Sequence, residues 1–304
     1  MSLRNSEILL LYEVKLANPN GDPDDENRPR MDPKTRRVLV TDVRLKRFFR
    51  DYVISTYGEE FIWVSKQNGQ HVSADTRFRA FGNDLNRLLK SAIDARLFGV
   101  VVTKKGEGGE GKGESYPFTG PLQFSWGYSL HRVDMVDTRS ITSVFSGAKE
   151  GEGNIGKDYR VYYALIAFYG AFNSYRAKET GCSENDLKIF DNFIWEALKT
   201  ESVTRSKIGH YPHLYLRVEL GEGESYIGDL RRFISVEQKE NVRDLQDLTV
   251  DLSKLIEVVK DHRVYLRCSD EFKWACEDPR LTNKMPLPHS SVDLKIFSPS
   301  GVKS

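Results

Sequence analysis

The residues with chemical potential crowd into the first fifty positions. Asp22, Asp24, Asp25 and Glu26 form an acidic knot, and residues 28–50 follow with nine Lys or Arg against two acids, Asp32 and Asp42. Metal-dependent hydrolysis would need such carboxylates held in a fixed geometry, and nothing in the sequence shows their loop to be rigid enough to hold a metal. The acids lie in NPNGDPDDENRPRMDPKT, where Pro19, Pro23 and Pro29 break the chain and Gly21 turns it. Asp in such a setting is turn chemistry first, and carboxylates beside Arg28 and Arg30 pair with them. Without a metal, a general acid and base are needed, and no His lies between Met1 and Gln70. Neither a metal nor a cofactor is expected.

Other motifs fail their own requirements. GEGGEGK (106–112) imitates a phosphate loop, but Gly113 stands where a Ser or Thr hydroxyl is required. GEGNIG (151–156) matches a dinucleotide fingerprint yet precedes an apolar, strand-like run, so it reads as a hairpin tip. His210 and His213 of HYPH have no acidic or Cys neighbours in sequence; a turn leading into a strand is the better reading. Cys182, Cys268 and Cys276 make no CxxC pair, and their odd number fits a reducing, cytoplasmic compartment.

The elements that must carry these residues follow from periodicity. Residues 8–17 read as a strand, not a signal peptide, because Glu13 and Lys15 break the apolar run and no cleavage site follows. No stretch approaches the ~18 apolar residues of a membrane span. Val38 to Val40 fit a short strand. A helix follows, capped by Thr41 or Asp42, with Leu45, Phe48, Phe49, Tyr52 and Val53 on one face. Lys46, Arg47 and Arg50, with Arg44 at the margin, take the opposite side with no interleaved acids, which favours a polyanion partner despite a net charge of only +1. Residues 58–93 read as an insertion and 95–103 as a buried strand. A run at 160–172, HLYLRVEL (213–220) and RVYLRC (263–268) supply further strands. Helices are expected at 183–199, capped by Ser183, and at 251–260. Strands alternating with helices indicate an α+β fold with a ferredoxin-like or RRM-like core. The RRM stacking signature is absent, so bases are not expected to stack on the sheet. No helix-turn-helix pattern supports a transcriptional autoregulator.

The segment NPNGDPDDENRPRMDPKTRRVLVTDVRLKRFFRDY resembles the N-terminal signature of the Cas-seven family, the backbone subunits of type I CRISPR Cascade complexes, and is most similar to the branch of types I-B and I-C. DARLFGVVVT, TGPLQFSWGYSLH, DTRSITSVFS, GKDYRVYYALIAFYGAF and TRSKIGHYPHLYLRVEL continue the likeness, in order, across most of residues 8–230. The resemblance implies a single RRM-like palm over 1–304, with fingers inserted at about 58–93 and a thumb β-hairpin at about 138–160. It implies a scaffold that polymerises head to tail along a guide RNA, beside other Cascade subunits, and presents the guide to a target DNA strand. The RNA-binding residues implied are Asn20, Gly21, Arg28, Arg30, Thr41, Arg44, Lys46, Arg47, Arg50, Lys157, Arg160, Arg205 and Lys207. Related type III subunits cut target RNA with an Asp after the first strand, so a ribonuclease acting through Asp22, Asp24 or Asp25 is the alternative. The C-terminal 70 or so residues carry no recognised signal.

Overall fold

The computed structural model describes residues 3–65, 70, 72–104, 114–136, 140–143, 154–202 and 207–287. Its centre is a sheet in the order Lys284–Pro286, Arg263–Cys268, His210–Glu219, Ser6–Ala17, Val161–Phe172, Gly127–Ser129, Leu39–Val40. Leu122–Phe124 adds to the Val161–Phe172 strand. Only the first two strands of that order pair in parallel. Ser6–Ala17 is the keystone: Leu10 faces Phe168 on one side and Tyr215 on the other.

Alternation divides the first strand between two cores. Ile8, Leu10, Tyr12 and Val14 point toward the helices Asp42–Tyr57 and Glu184–Thr200. Leu9 and Leu11 point to the other face. Thr41 starts the first helix by accepting from Arg44 N at 3.3 Å. Ser183 and Asp186 form a reciprocal capping box at the start of the second. The helices meet through aromatics, with Phe49 5.3 Å from Phe190 between ring centroids. Truncating a fully buried Phe of this kind to Ala costs about 3–5 kcal/mol.

The expected strand at 95–103 is corrected. Ile93–Phe98 is helical and the strand runs from Gly99 to Lys104, paired with Glu114–Thr119 outside the main sheet. An apolar run does not distinguish buried helix from buried strand by its period. Here buried Asp94 accepts from Trp63 N at 2.6 Å and Val64 N at 3.1 Å, which fixes the helix. Gly99 (φ +95°) and Gly120 let the two strands close, since a Cβ on Gly120 would lie 2.2 Å from Phe98 C. Trp63, Phe78, Phe81, Leu88, Val100 and Val102 give this arm its own small core. The arm therefore reaches past residue 93, to Thr119. The phosphate-loop imitation at 106–112 lies outside the described residues.

Ser140–Ser143 and Asn154–Lys157 pair antiparallel, Lys157 opposite Ser140. Residues 144–153, with most of the expected hairpin tip, lie outside the described residues.

The C-terminal residues close the second face of the sheet. Leu230, Val242, Leu252, Leu255, Ile256 and Val259 cover Leu9, Leu11, Leu165, Leu214 and Leu216. Glu7, fully buried, anchors this cover by accepting from Tyr169 Oη at 2.6 Å, Ile227 N at 2.6 Å and Gly228 N at 2.8 Å. The strand expected to be last, Arg263–Cys268, is followed by Lys284–Pro286. The odd cysteine count, which pointed to a reducing compartment, gave no hint of a bond. Cys268 and Cys276 are disulfide-bonded, because the turn after the strand folds their Cα atoms to 6.2 Å. Cys182 alone is a thiol, and it is buried. No described helix is long and apolar enough to cross a membrane.

Candidate nucleic-acid interface

The loop after the first strand is held by its own polar side chains. Asn18 Nδ2 donates to the Asn27 carbonyl at 2.7 Å, and Asn27 N to the Asp22 carbonyl at 2.7 Å. Gly21 is required there, since a Cβ would fall 2.7 Å from Asn27 O. Asn20 Oδ1 accepts from Thr41 N at 2.8 Å and Thr41 Oγ1 at 2.9 Å, tying the loop to the start of the first helix. The side chains of Asn20 and Thr41, both implied RNA contacts, thus shape the groove from within.

The acids of the loop pair as their neighbours predict. Asp22 accepts from Arg30 Nη1 at 2.8 Å and from Asp24 N at 3.2 Å. Asp25 lies 3.6 Å from Arg28 Nε. Among the described residues, no three of His, Cys, Asp and Glu converge as metal ligands.

The expected uncompensated basic side of the first helix is corrected. Lys46 Nζ binds Asp42 at 3.0 Å and Gln123 at 3.2 Å. Arg47 pairs with Asp51 one turn on. Arg50 is buried and donates from Nε to Asp94 at 2.7 Å. Its partner comes from the inserted arm, so the helix sequence alone could not disclose it. Arg160 pairs with Asp158 at 2.9 Å and donates to the Leu16 carbonyl at 2.7 Å. Arg205 lies outside the described residues.

Arg44 and Lys207 are different. Both line one groove of about 490 Å³ with Asn18, Asn20, Gly21 and Lys157. Arg44 lies flat over Phe48, 4.0 Å from the ring centroid, and makes no ion pair with a described carboxylate. Burial pulls its pKa down. Among the described residues Lys207 Nζ donates to carbonyls, Asn18 O at 2.6 Å and Pro19 O at 3.4 Å. Burial, then the nearby Arg44 charge, push its pKa down to about 7. Beneath them His210 donates from Nδ1 to the Lys207 carbonyl at 2.6 Å, and burial lowers its pKa to about 3, so it stays neutral. Arg44 and Lys207 thus have no ion pair with a described carboxylate, although Glu26 and Asp158 line the same groove and pair with Lys157 and Arg160. A site of this kind favours an anion, and its carbonyls and amides suit a sugar-phosphate strand. Asn18 Oδ1, on a side chain only 7% exposed, has no hydrogen-bond partner beside the same groove.

Of the implied RNA contacts, Asn20, Gly21, Arg44, Lys157 and Lys207 meet in this groove. Arg28 stands beside it over Tyr159, while Lys46 and Arg47 pair with Asp42 and Asp51 on their own helix and Arg50 pairs with Asp94. The family resemblance implicated the loop from Asn18 to Arg30 without singling out Asn18 or Asn27 as contacts, and Tyr159 was missed. Asn18 and Asn27 read as generic turn residues, and nothing in GKDYR separates Tyr159 from a core aromatic.

A family model described as CRISPR-associated protein Cas7 matches residues 4–253. A protein of Haloferax volcanii with the same description is 32% identical over 289 residues, covering 85% of this chain and 84% of that protein. Among solved structures, a chain of a CRISPR RNA-guided surveillance complex superposes with a TM-score of 0.53 at 14% identity, over 92% of this chain and 94% of that one. A pre-nicking form of such a complex gives 0.50 at 12% identity, over 93% and 96%. At these identities the structural likeness is one of fold.

Proposed function

The chain belongs to the CRISPR-associated Cas7 family, and from that premise we propose that it is a guide-RNA-holding backbone subunit of a type I Cascade complex, of the I-B and I-C branch, with no nuclease activity of its own. One observation carries this reading: Arg44 and Lys207 place two charges without carboxylate partners in a groove walled by Asn18, Asn20 and Gly21. A guide carries arbitrary spacer sequence, so its holder must bind phosphates and leave base edges alone.

The sheet supports the same reading. Strands Ser6–Ala17, Gly127–Ser129, Val161–Phe172 and His210–Glu219 with two helices on one face match an RRM-like palm in order and direction. The opposite face, where such a fold would stack bases, is filled by Leu230, Leu252, Leu255 and Ile256. RNA is thereby left the end of the sheet, where the phosphate groove lies. The arm ending at Thr119 serves as fingers, and the paired strands Ser140–Ser143 and Asn154–Lys157 as the base of the thumb. In this reading residues 1–304 form one domain working in the cytoplasm. Copies stack head to tail along the guide with other Cascade subunits, and pairing by the guide reads the DNA strand. Of the loop acids a ribonuclease would use, Asp22 is occupied by Arg30 and its own turn and Asp25 lies beside Arg28, which favours a scaffold over a ribonuclease.

The test is to purify the chain with its complex, extract the bound nucleic acid and sequence it, then add labelled complementary RNA with Mg²⁺. Guide RNA of varied spacer sequence and intact target RNA are expected. Absence of guide RNA would refute the holder, and regularly spaced cuts lost in just one of Asp22→Ala, Asp24→Ala and Asp25→Ala would establish the ribonuclease instead.

A further inference from the structure

A carboxylate already sits at one end of the groove. Glu26 accepts from Lys157 Nζ at 2.6 Å on Oε1 and 2.8 Å on Oε2, and from Tyr159 Oη at 2.9 Å on Oε2. Arg28 lies over the Tyr159 ring at 4.9 Å, with Nη2 3.5 Å from Tyr159 Oη. The hydrogen bonds from Lys157 and then Tyr159 hold the Glu26 carboxyl below its usual range, and Glu26 in turn raises the Lys157 amine. One negative charge on two oxygens, met by an ammonium and a hydroxyl beside a guanidinium, is also how a phosphodiester is held.

The backbone is bent to deliver this carboxylate. Glu26 (φ +51°) and Asn27 (φ +60°) are both left-handed, a conformation that disfavours an ordinary side chain such as that of Glu. The bend is kept by Asn18 on the Asn27 carbonyl and by the close approach of Asn27 to Gly21. Lys157 ends a strand of the paired segment and Glu26 belongs to the loop after the first strand, so the contact joins two structures over the groove.

We propose that Lys157, Tyr159 and Arg28 form a second phosphate subsite, and that Glu26 is its resident occupant in the free chain, displaced by a backbone phosphate when RNA enters. The proposal rests on the reading of the groove as an RNA holder. A displacement of this kind sets a threshold. An isolated phosphate exchanges one anion for another and gains little. A strand that also reaches Arg44 and Lys207 gains the contacts that drive the exchange, so the groove selects polymers over mononucleotides.

The experiment is filter binding of single-stranded RNAs of unrelated sequence to the full chain. Glu26→Gln is expected to tighten binding roughly two- to fivefold, the range of an exposed ion pair. Lys157→Met is expected to weaken it, and Glu26→Gln made on top of Lys157→Met to give no tightening, because the competitor has lost its target. Equal or weaker binding by Glu26→Gln alone, or tightening that persists without Lys157, overturns the proposal. Arg44→Ala and Lys207→Met separate it from the reading beneath. If neither weakens binding, the groove is not the RNA holder. If both do while Glu26→Gln tightens nothing, only the displacement is wrong.

Discussion

Arg50 and Asp94 meet at 2.7 Å in the interior, one from the first helix and the other from the inserted arm, and Asp94 is wholly buried. The pair makes Arg50 a strut between two parts of the fold. Arg50→Ala would leave buried Asp94 with backbone amides but without its hydrogen-bonded counter-charge. A loss of about 3–5 kcal/mol is expected in denaturant unfolding. Unchanged stability with lost RNA binding would return Arg50 to the groove.

Arg44 and Lys207 should behave in the opposite way. Arg44→Ala and Lys207→Met are each expected to weaken RNA binding alike for unrelated sequences, lowering the salt slope by about 0.7 per lost contact. Arg47→Ala, which removes an exposed pair with Asp51, should change affinity little. A strong dependence on RNA sequence in the same series would contradict backbone holding.

The pH response of Lys207 has a definite sign. Its amine falls from an ordinary 10.5 to about 7 in the folded chain. Between these values the unfolded chain binds more protons at this site, so the Lys207 contribution to stability rises with pH across that window. RNA needs the charged form, so affinity should fall as pH rises above about 7. Lys207→Met should bind weakly but without that slope. Titrating affinity against pH for both proteins decides it; identical slopes would remove Lys207 from the groove chemistry.

The cysteines give a chemical test of the C-terminal segment. In the native chain without reductant, alkylation should label none of them, since Cys268 and Cys276 are bonded and Cys182 is buried with its thiol pKa raised. Mild reduction should expose Cys268 and Cys276, and only unfolding should expose Cys182. Labelling of Cys268 before reduction, read by mass spectrometry, would contradict the bond.

The sequence disclosed whatever local periodicity decides. The cap at Thr41, the stripe of Leu45, Phe48, Phe49 and Val53, the Ser183 cap and the strands around Leu10, Leu165 and Leu216 were all legible. Basic residues were legible as charges but not as free charges. Asp51 was near enough to foresee, whereas Asp94 lies 44 positions from Arg50 and is brought in only by the arm. Lys207 was reached through family resemblance, and its burial and the nearness of the Arg44 charge, which together lower its pKa, follow from no spacing rule. The C-terminal helix was legible from Leu252, Leu255, Ile256 and Val259 at helical spacing, but its partner was not: that it covers Leu9 and Leu11, together with the distant Leu230, is visible only in the fold.

That last arrangement also constrains how the protein is made. Ser6 must wait for Glu219, about 210 residues later, and the ribosome needs on the order of 10–40 s to deliver it. Leu9 and Leu11 stay uncovered longer still, until Leu255 and Ile256 leave the exit tunnel. The nascent chain therefore carries a sticky, half-built surface from the first strand until those residues have emerged.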